Sequence, residues 1–135
     1  MSSGLPLRKV EATLETKVFW EATARGQLLL ATCDRCAGII WYPRGYCPDC
    51  QSMATTWVES SGLGLVYSFS ITRKGQGAWA DVSPYVIAYV QLDEGPRVLT
   101  NIVGCAVDDV AIGMRVQVAF EDPIEGSAIY RFTPA

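Results

Sequence analysis

The sequence contains no histidine among its 135 residues. That removes the commonest general base and the usual nitrogen donor of a mixed metal site. No run of 18 apolar residues occurs, so no membrane-spanning helix is expected. A cationic stretch leading into an apolar one, the mark of a secretory leader, is also missing, and the cysteine count is five. An odd cysteine number without a leader argues against paired disulfides and points to a reducing compartment, the cytoplasm. Cations are few: 11 Lys and Arg against 14 Asp and Glu give a net charge of −3, and the isoelectric point is about 4.8. Such a chain lacks the basic stripe whose counterion release dominates nucleic-acid binding. It also lacks the G-x-S-x-G elbow of a serine hydrolase and the G-x-x-x-x-G-K-[ST] loop of a phosphate binder.

What is present is a cluster of cysteines. Residues 33–50 read C-D-R-C-A-G-I-I-W-Y-P-R-G-Y-C-P-D-C. A C-x-x-C pair on a tight turn brings two thiolates to one ion, and two such turns complete a tetrahedral four-sulfur site from Cys33, Cys36, Cys47 and Cys50. Between them Ile39-Ile40-Trp41-Tyr42 is β-prone and Pro43-Arg44-Gly45 breaks it. The layout is that of a zinc ribbon, a short hairpin pinned at its open end. A redox dithiol of the thioredoxin type would want a single pair beside a βαβ unit, which the pattern does not offer. Zinc is preferred over iron as the structural ion. Four thiolates leave no open position for water, so the ion would hold the fold and do no chemistry.

The rest of the chain reads mainly β. Residues 1–30 are expected to form an N-terminal arm and a helix over 12–25, capped by Thr13 and ended by Gly26, with Leu14, Val18, Phe19 and Ala22 on one apolar face. Residues 31–53 form the ribbon. Residues 54–135 alternate as five or six short strands with glycine at the corners, which suggests an OB-fold barrel. Leu65, Tyr67, Phe69 and Ile71 are expected on one face of a long strand, and Asp93-Glu94-Gly95-Pro96 in a hairpin turn. Cys105, flanked by Ile-Val-Gly and Ala-Val, reads as an inert buried thiol. Asp93, Glu94, Asp108 and Asp109 read as solvated turn residues. The loop R-K-G-Q-G-A-W-A-D-V-S-P-Y, residues 73–85, combines two cations, glycines and an aromatic. Arg73, Lys74 and Trp79 could hold the phosphates and adenine of CoA, as OB surfaces hold nucleotides, or could anchor a neighbouring chain.

Taken together these pieces resemble the zinc-ribbon/OB-fold proteins associated with acyl-CoA enzymes, a family first catalogued as domain of unknown function 35. The resemblance rests on Phe19-Trp20 with Gly26-Gln27-Leu28, on the Cys33/Cys36/Pro43-Arg44/Cys47-Pro48/Cys50 ribbon and on Ser61-Gly62-Leu63-Gly64. It continues through Pro84-Tyr85-Val86-Ile87-Ala88, Leu92-Asp93-Glu94-Gly95, Asn101-Ile102-Val103-Gly104-Cys105 and Ile112-Gly113-Met114-Arg115-Val116. It departs from the family where Ala37 and Gln51 stand in place of the glycine that usually follows each second knuckle cysteine. A non-glycine residue at positive φ costs about 1 kcal/mol.

The resemblance implies a helical arm, a rubredoxin-like ribbon and an OB barrel. It also implies a non-catalytic small subunit beside a thiolase-superfamily enzyme, a thiolase or an acyl-CoA retro-aldolase such as those of fatty acyl or steroid side-chain breakdown, with MaoC-like hydratases as further associates. On that reading acyl-CoA is a possible ligand and a symmetric heterotetramer the expected assembly. The aromatic and cationic residues Phe19, Trp20, Trp41, Tyr42 and Arg44 are the expected partner interface. The alternatives are a single-stranded nucleic-acid binder built from the same parts, disfavoured by the acidic charge, and a free acyl-CoA carrier.

Overall fold

A computed structural model describes residues 1–135. The chain begins with an extended arm and one short helix, α1, Lys17–Thr23. Next come the strands β1 (Leu29–Cys33), β2 (Ile39–Ile40) and β3 (Thr55–Glu59), which form an antiparallel sheet in the order β2-β1-β3. Five strands, β4 (Leu63–Thr72), β5 (Tyr85–Leu92), β6 (Arg97–Ile102), β7 (Arg115–Phe120) and β8 (Tyr130–Pro134), then close a barrel in the order β4-β5-β6-β8-β7. All barrel neighbours run antiparallel except β6 and β8, which meet in parallel at Ile102 and Phe132. This is the five-stranded Greek-key barrel of an OB fold. No helix is long and apolar enough to cross a membrane.

The barrel interior follows from strand alternation. Val86, Ala88, Val90 and Leu92 of β5 point inward and pack with Val66, Val98, Val116 and Phe132. Gly64 is required where β4 crosses its neighbour: a Cβ there would lie 2.5 Å from the Gln91 carbonyl oxygen. The expectation that Leu65, Tyr67, Phe69 and Ile71 share a face is corrected by a β-bulge. Val66 pairs with Val90 and Ser68 with Tyr89, leaving Tyr67 as an extra residue. Before the bulge Val66 is inside and Leu65 is not fully buried. After it Phe69 and Ile71 turn to the core, and Tyr67 stands outside with the Arg97 guanidinium 3.8 Å from its ring centre.

The helix is shorter than the expected 12–25. Thr13 and Thr16 hold a local turn, with Thr13 N–H donating to Thr16 Oγ1 at 2.9 Å and Thr16 N–H to the Thr13 carbonyl at 3.1 Å. Such side-chain-to-backbone bonds compete with helix. Thr13 is therefore not the cap, and Leu14 projects into solvent, 93% exposed. The buried face is Phe19, Ala22 and Thr23 instead. Gly26 does end the helix: at φ +74 its N–H bonds Thr23 and Gln27 N–H bonds Ala22, a Schellman closure. β3 pairs with β1 in the three-stranded sheet rather than with a barrel strand.

Two links weld ribbon to barrel. Phe19, with no exposure, sits edge-on to Trp41 and Tyr42 of the ribbon and Tyr130 of the barrel. Glu94, in the expected hairpin turn, accepts from Ser60 Oγ at 2.9 Å and Ser61 N–H at 2.8 Å. Its neighbour Asp93 forms a two-pronged ion pair with Arg115 at 2.8 and 3.0 Å. Asp93 and Glu94 are thus structural anchors, not merely solvated. The arm is fastened by a buried Arg131–Glu121 pair at 3.1 Å, with Ser3 bonding Glu121 and Arg131 reaching the Pro6 carbonyl.

Phe19→Ala is expected to lower the unfolding free energy by about 3–5 kcal/mol, because it opens a cavity where all three parts meet. Denaturant melts check this, and a loss under about 1 kcal/mol would show that the weld carries little.

Candidate metal centre and barrel groove

The two knuckles are built alike. Cys33 N–H bonds the Gly38 carbonyl at 2.9 Å and Ala37 N–H bonds the Cys33 carbonyl at 2.9 Å. In the second, Cys47 N–H bonds Ser52 and Gln51 N–H bonds Cys47, both at 2.8 Å. Each turn forces its fifth residue to positive φ, Ala37 at 63° and Gln51 at 64°. These are the two positions where the sequence departs from glycine, so the expected backbone strain is present.

The turns converge four sulfurs. The Sγ atoms of Cys33, Cys36, Cys47 and Cys50 all lie within 4.8 Å of one another, with Cys33–Cys50 at 3.5 Å and Cys36–Cys47 at 3.6 Å. A tetrahedron of zinc–sulfur bonds near 2.3 Å has edges of roughly 3.8 Å, so the donor set fits zinc. The electrostatics call for a cation. The Cys36 backbone N–H lowers the Cys33 thiol to about 6. Cys36, against the pull of the Gly38 N–H, is pushed up to about 12 by the Cys47 and Cys33 sulfurs. Without an ion the group cannot ionise fully, and a divalent metal compensates the crowded thiolates. Cys33 and Cys47 are buried, and all four positions are filled by protein, which gives a structural site.

A second feature lies on the outer face of the barrel. A groove of about 370 Å³ opens between α1, β5, β6, β8 and the Gly77–Trp79 turn. Two ring pairs stand at its sides: Trp20 with Tyr130, centroids 6.0 Å apart and nearly parallel, and Trp79 with Tyr85 at 4.7 Å. Ile87 and Leu99 face it from β5 and β6. Burial raises the Tyr130 phenol, keeping it neutral. The polar floor is satisfied internally: Asn101 donates to the Val86 carbonyl at 2.8 Å and accepts from Arg131 at 2.7 Å.

Of the three residues expected to hold CoA, only Trp79 reaches this groove. The Arg73 guanidinium is paired with Asp108 at 3.0 Å, and Lys74 is exposed outside the groove. Asp108 is accordingly an ion-pair partner rather than a free bend residue. Cys105 is partly buried with its thiol pushed up by burial and by Asp109, in keeping with an inert role. Of the expected interface, Trp20, Tyr42 and Arg44 gather at the surface: Trp20 Nε1 donates to Tyr42 Oη at 2.6 Å and Arg44 Nε to the Tyr42 carbonyl at 3.3 Å. Trp41 is half-buried behind them. Phe19 lies wholly inside, so it supports this surface without touching a partner. Ile87, Leu99, Tyr130, Asn101 and Arg131 were not foreseen as groove residues.

The profile "ChsH2, rubredoxin-like zinc ribbon domain" matches residues 20–54, and "ChsH2, C-terminal OB-fold domain" matches residues 57–121. A "DUF35 domain-containing scaffold protein" of Methanothermobacter thermautotrophicus is 32% identical over 80% of this chain and 85% of its own length. The chain belongs to the DUF35 family. Among solved structures, a chain of the "Ltp2-ChsH2(DUF35) aldolase" superposes on this DUF35 protein with a TM-score of 0.83 at 31% identity, covering 93% of this chain and 98% of that one. A "Probable enoyl-CoA hydratase alpha subunit" of Thermomonospora curvata is 37% identical over 82% of this chain. The DUF35 chain spans only about a third, 34%, of that subunit's length.

Elemental analysis is expected to find one zinc per chain. Cys47→Ser should lose it and loosen the ribbon while the barrel stays folded. Ala37→Gly and Gln51→Gly should each raise the ribbon's stability by about 1 kcal/mol and slow zinc transfer to a chelator. Faster zinc loss from either glycine variant would contradict the strain assignment.

Proposed function

We propose that this DUF35 protein is a non-catalytic accessory subunit that docks on a thiolase-superfamily enzyme, a thiolase or an acyl-CoA retro-aldolase, and helps form its acyl-CoA site. The observation that carries the reading is the likeness, over nearly the whole length of both chains, to a component of the Ltp2–ChsH2(DUF35) aldolase. The chain's own chemistry agrees with it. The metal centre is closed by four thiolates, and histidine is absent from the sequence. Cys105 is held as a neutral thiol beside Asp109, and Asp93 and Glu94 are occupied in structural bonds. Reaction at an acyl-CoA thioester wants an activated nucleophile or a poised base, and these groups supply neither.

On this reading the docking surface is the cluster Trp20, Tyr42 and Arg44, backed by Trp41 and fixed from below by Phe19. Aromatics beside arginine are the residue types that dominate interface energetics. Symmetric oligomers being the rule, two copies on a thiolase-like dimer would give a heterotetramer. A hydratase module is a second candidate associate, from the hydratase subunit relative. The work is cytoplasmic on the same reading, where thiols stay reduced for metal.

Co-expression with a thiolase-superfamily protein from the same genome, followed by size-exclusion chromatography with light scattering, is expected to give a stable heteromer. Arg44→Glu should weaken it by at least about tenfold, roughly the cost of losing a modest hot spot, with the thermal melt of the isolated chain unchanged. A monomer that ignores the thiolase-like protein at micromolar concentration would refute the reading.

A further inference from the structure

The groove described above is at odds with nucleotide recognition. The guanidinium in its floor is already committed: Arg131 bonds Glu121, Asn101 and the Pro6 carbonyl at 3.1, 2.7 and 3.3 Å. Thr100 turns its hydroxyl to the Asn101 and Tyr130 carbonyls. No buried side-chain nitrogen or oxygen in the molecule is without a partner. A phosphate entering the groove would lose hydration and find no unpaired cation among its lining residues, which disfavours it. An uncharged apolar group loses nothing comparable and meets Ile87, Leu99 and four rings.

The ring geometry narrows the class further. Trp20 stacks on Tyr130 at an interplanar angle of 22°, and Trp79 leans on Tyr85 at 49°. A flat group between these pairs can take offset or edge contacts on both sides, which a flexible straight chain cannot match at equal area. The groove's 370 Å³ is within the range of small-molecule sites and large enough for a fused ring system. It also borders the Trp20–Tyr42 surface, so a group seated there lies beside the proposed partner. The exposed Arg8, which makes no ion pair, lines an adjoining hollow that shares Trp79, Asn101, Ile129 and Arg131 with the groove but does not line the groove itself.

We infer that the groove is a binding site for the acyl group of the acyl-CoA, selective for ring-bearing acyl groups, so that this subunit reads the acyl end of the substrate rather than its nucleotide. The acyl-CoA part of this inference rests on the proposed accessory function; the ring-binding part rests on the groove alone. Of the expected CoA contacts Arg73, Lys74 and Trp79, this inference keeps Trp79 and adds Leu99 and Trp20.

The test uses the full chain, without partner, and two probes that lack the nucleotide: the 2-naphthoyl and decanoyl thioesters of N-acetylcysteamine, similar in apolar content. Tryptophan fluorescence and calorimetry are expected to show the naphthoyl thioester binding about tenfold more tightly than the decanoyl one. Leu99→Glu, at a half-exposed outward position, and Trp79→Ala, in the surface turn, should each cut that preference to under about threefold. Equal affinity for the two probes, or a preference that survives both substitutions, overturns the site. Because the probes carry no CoA and need no partner, ring binding without heteromer assembly would uphold the groove while the accessory function fails. Assembly without ring binding would do the reverse.

Discussion

Phe19 is the side chain on which the rest of the molecule depends. It is completely buried, and rings from three different parts of the chain meet it edge to face: Trp20 at 5.0 Å, Trp41 at 5.5 Å, Tyr42 at 5.9 Å and Tyr130 at 6.2 Å. A zinc ribbon has almost no interior of its own, and a five-stranded barrel can close without one. What makes them a single body is this shared aromatic cluster, with Glu94 holding Ser60 and Ser61 on the connecting segment. Trp20, the outer wall of Phe19, is at once a side of the barrel groove and part of the surface proposed for docking.

The metal centre works at the other end of the ribbon and by different physics. Four thiolates at this spacing repel one another unless a cation is present, so binding the ion is part of folding the ribbon. The backbone accepts strain to achieve it, at Ala37 and Gln51. Because the ion has no open coordination position, its role is to fix the knuckles and hence the loop that carries Trp41, Tyr42 and Arg44. The metal centre and the aromatic surface proposed for docking are thus joined through a few residues of backbone.

The four cysteines and the positive-φ positions were legible because spacing and turn geometry are local. So were the barrel and the terminating role of Gly26. The long helix was not, because a period of apolar residues cannot reveal that Thr13 and Thr16 bond each other first. Nor was the position of β3, since pairing partners are a non-local choice. Phe19 looked like an interface residue from its hydrophobicity, but burial by three separate segments is a tertiary fact. The groove did leave a signal: in Tyr85-Val86-Ile87-Ala88-Tyr89 both faces of β5 are apolar, and a barrel strand with an apolar outer face asks for a cover. Arg131, lying between Tyr130 and Phe132, left none. Its burial depends on Glu121, reached only once β7 and β8 pair.

The DUF35 protein joins a ribbon with a four-thiolate metal centre to a barrel, and presents an aromatic surface and an apolar groove while Asp93, Glu94, Glu121 and Arg131 are engaged in structural bonds. Its reactive chemistry, on this account, belongs to the enzyme beside it. The most direct check is steady-state cleavage of an acyl-CoA by three samples: the zinc-loaded chain alone, the thiolase-like partner alone, and the two mixed. Turnover is expected from the mixture and none from this chain alone; sustained thiolysis or retro-aldol cleavage by the purified chain, free of partner, would contradict it.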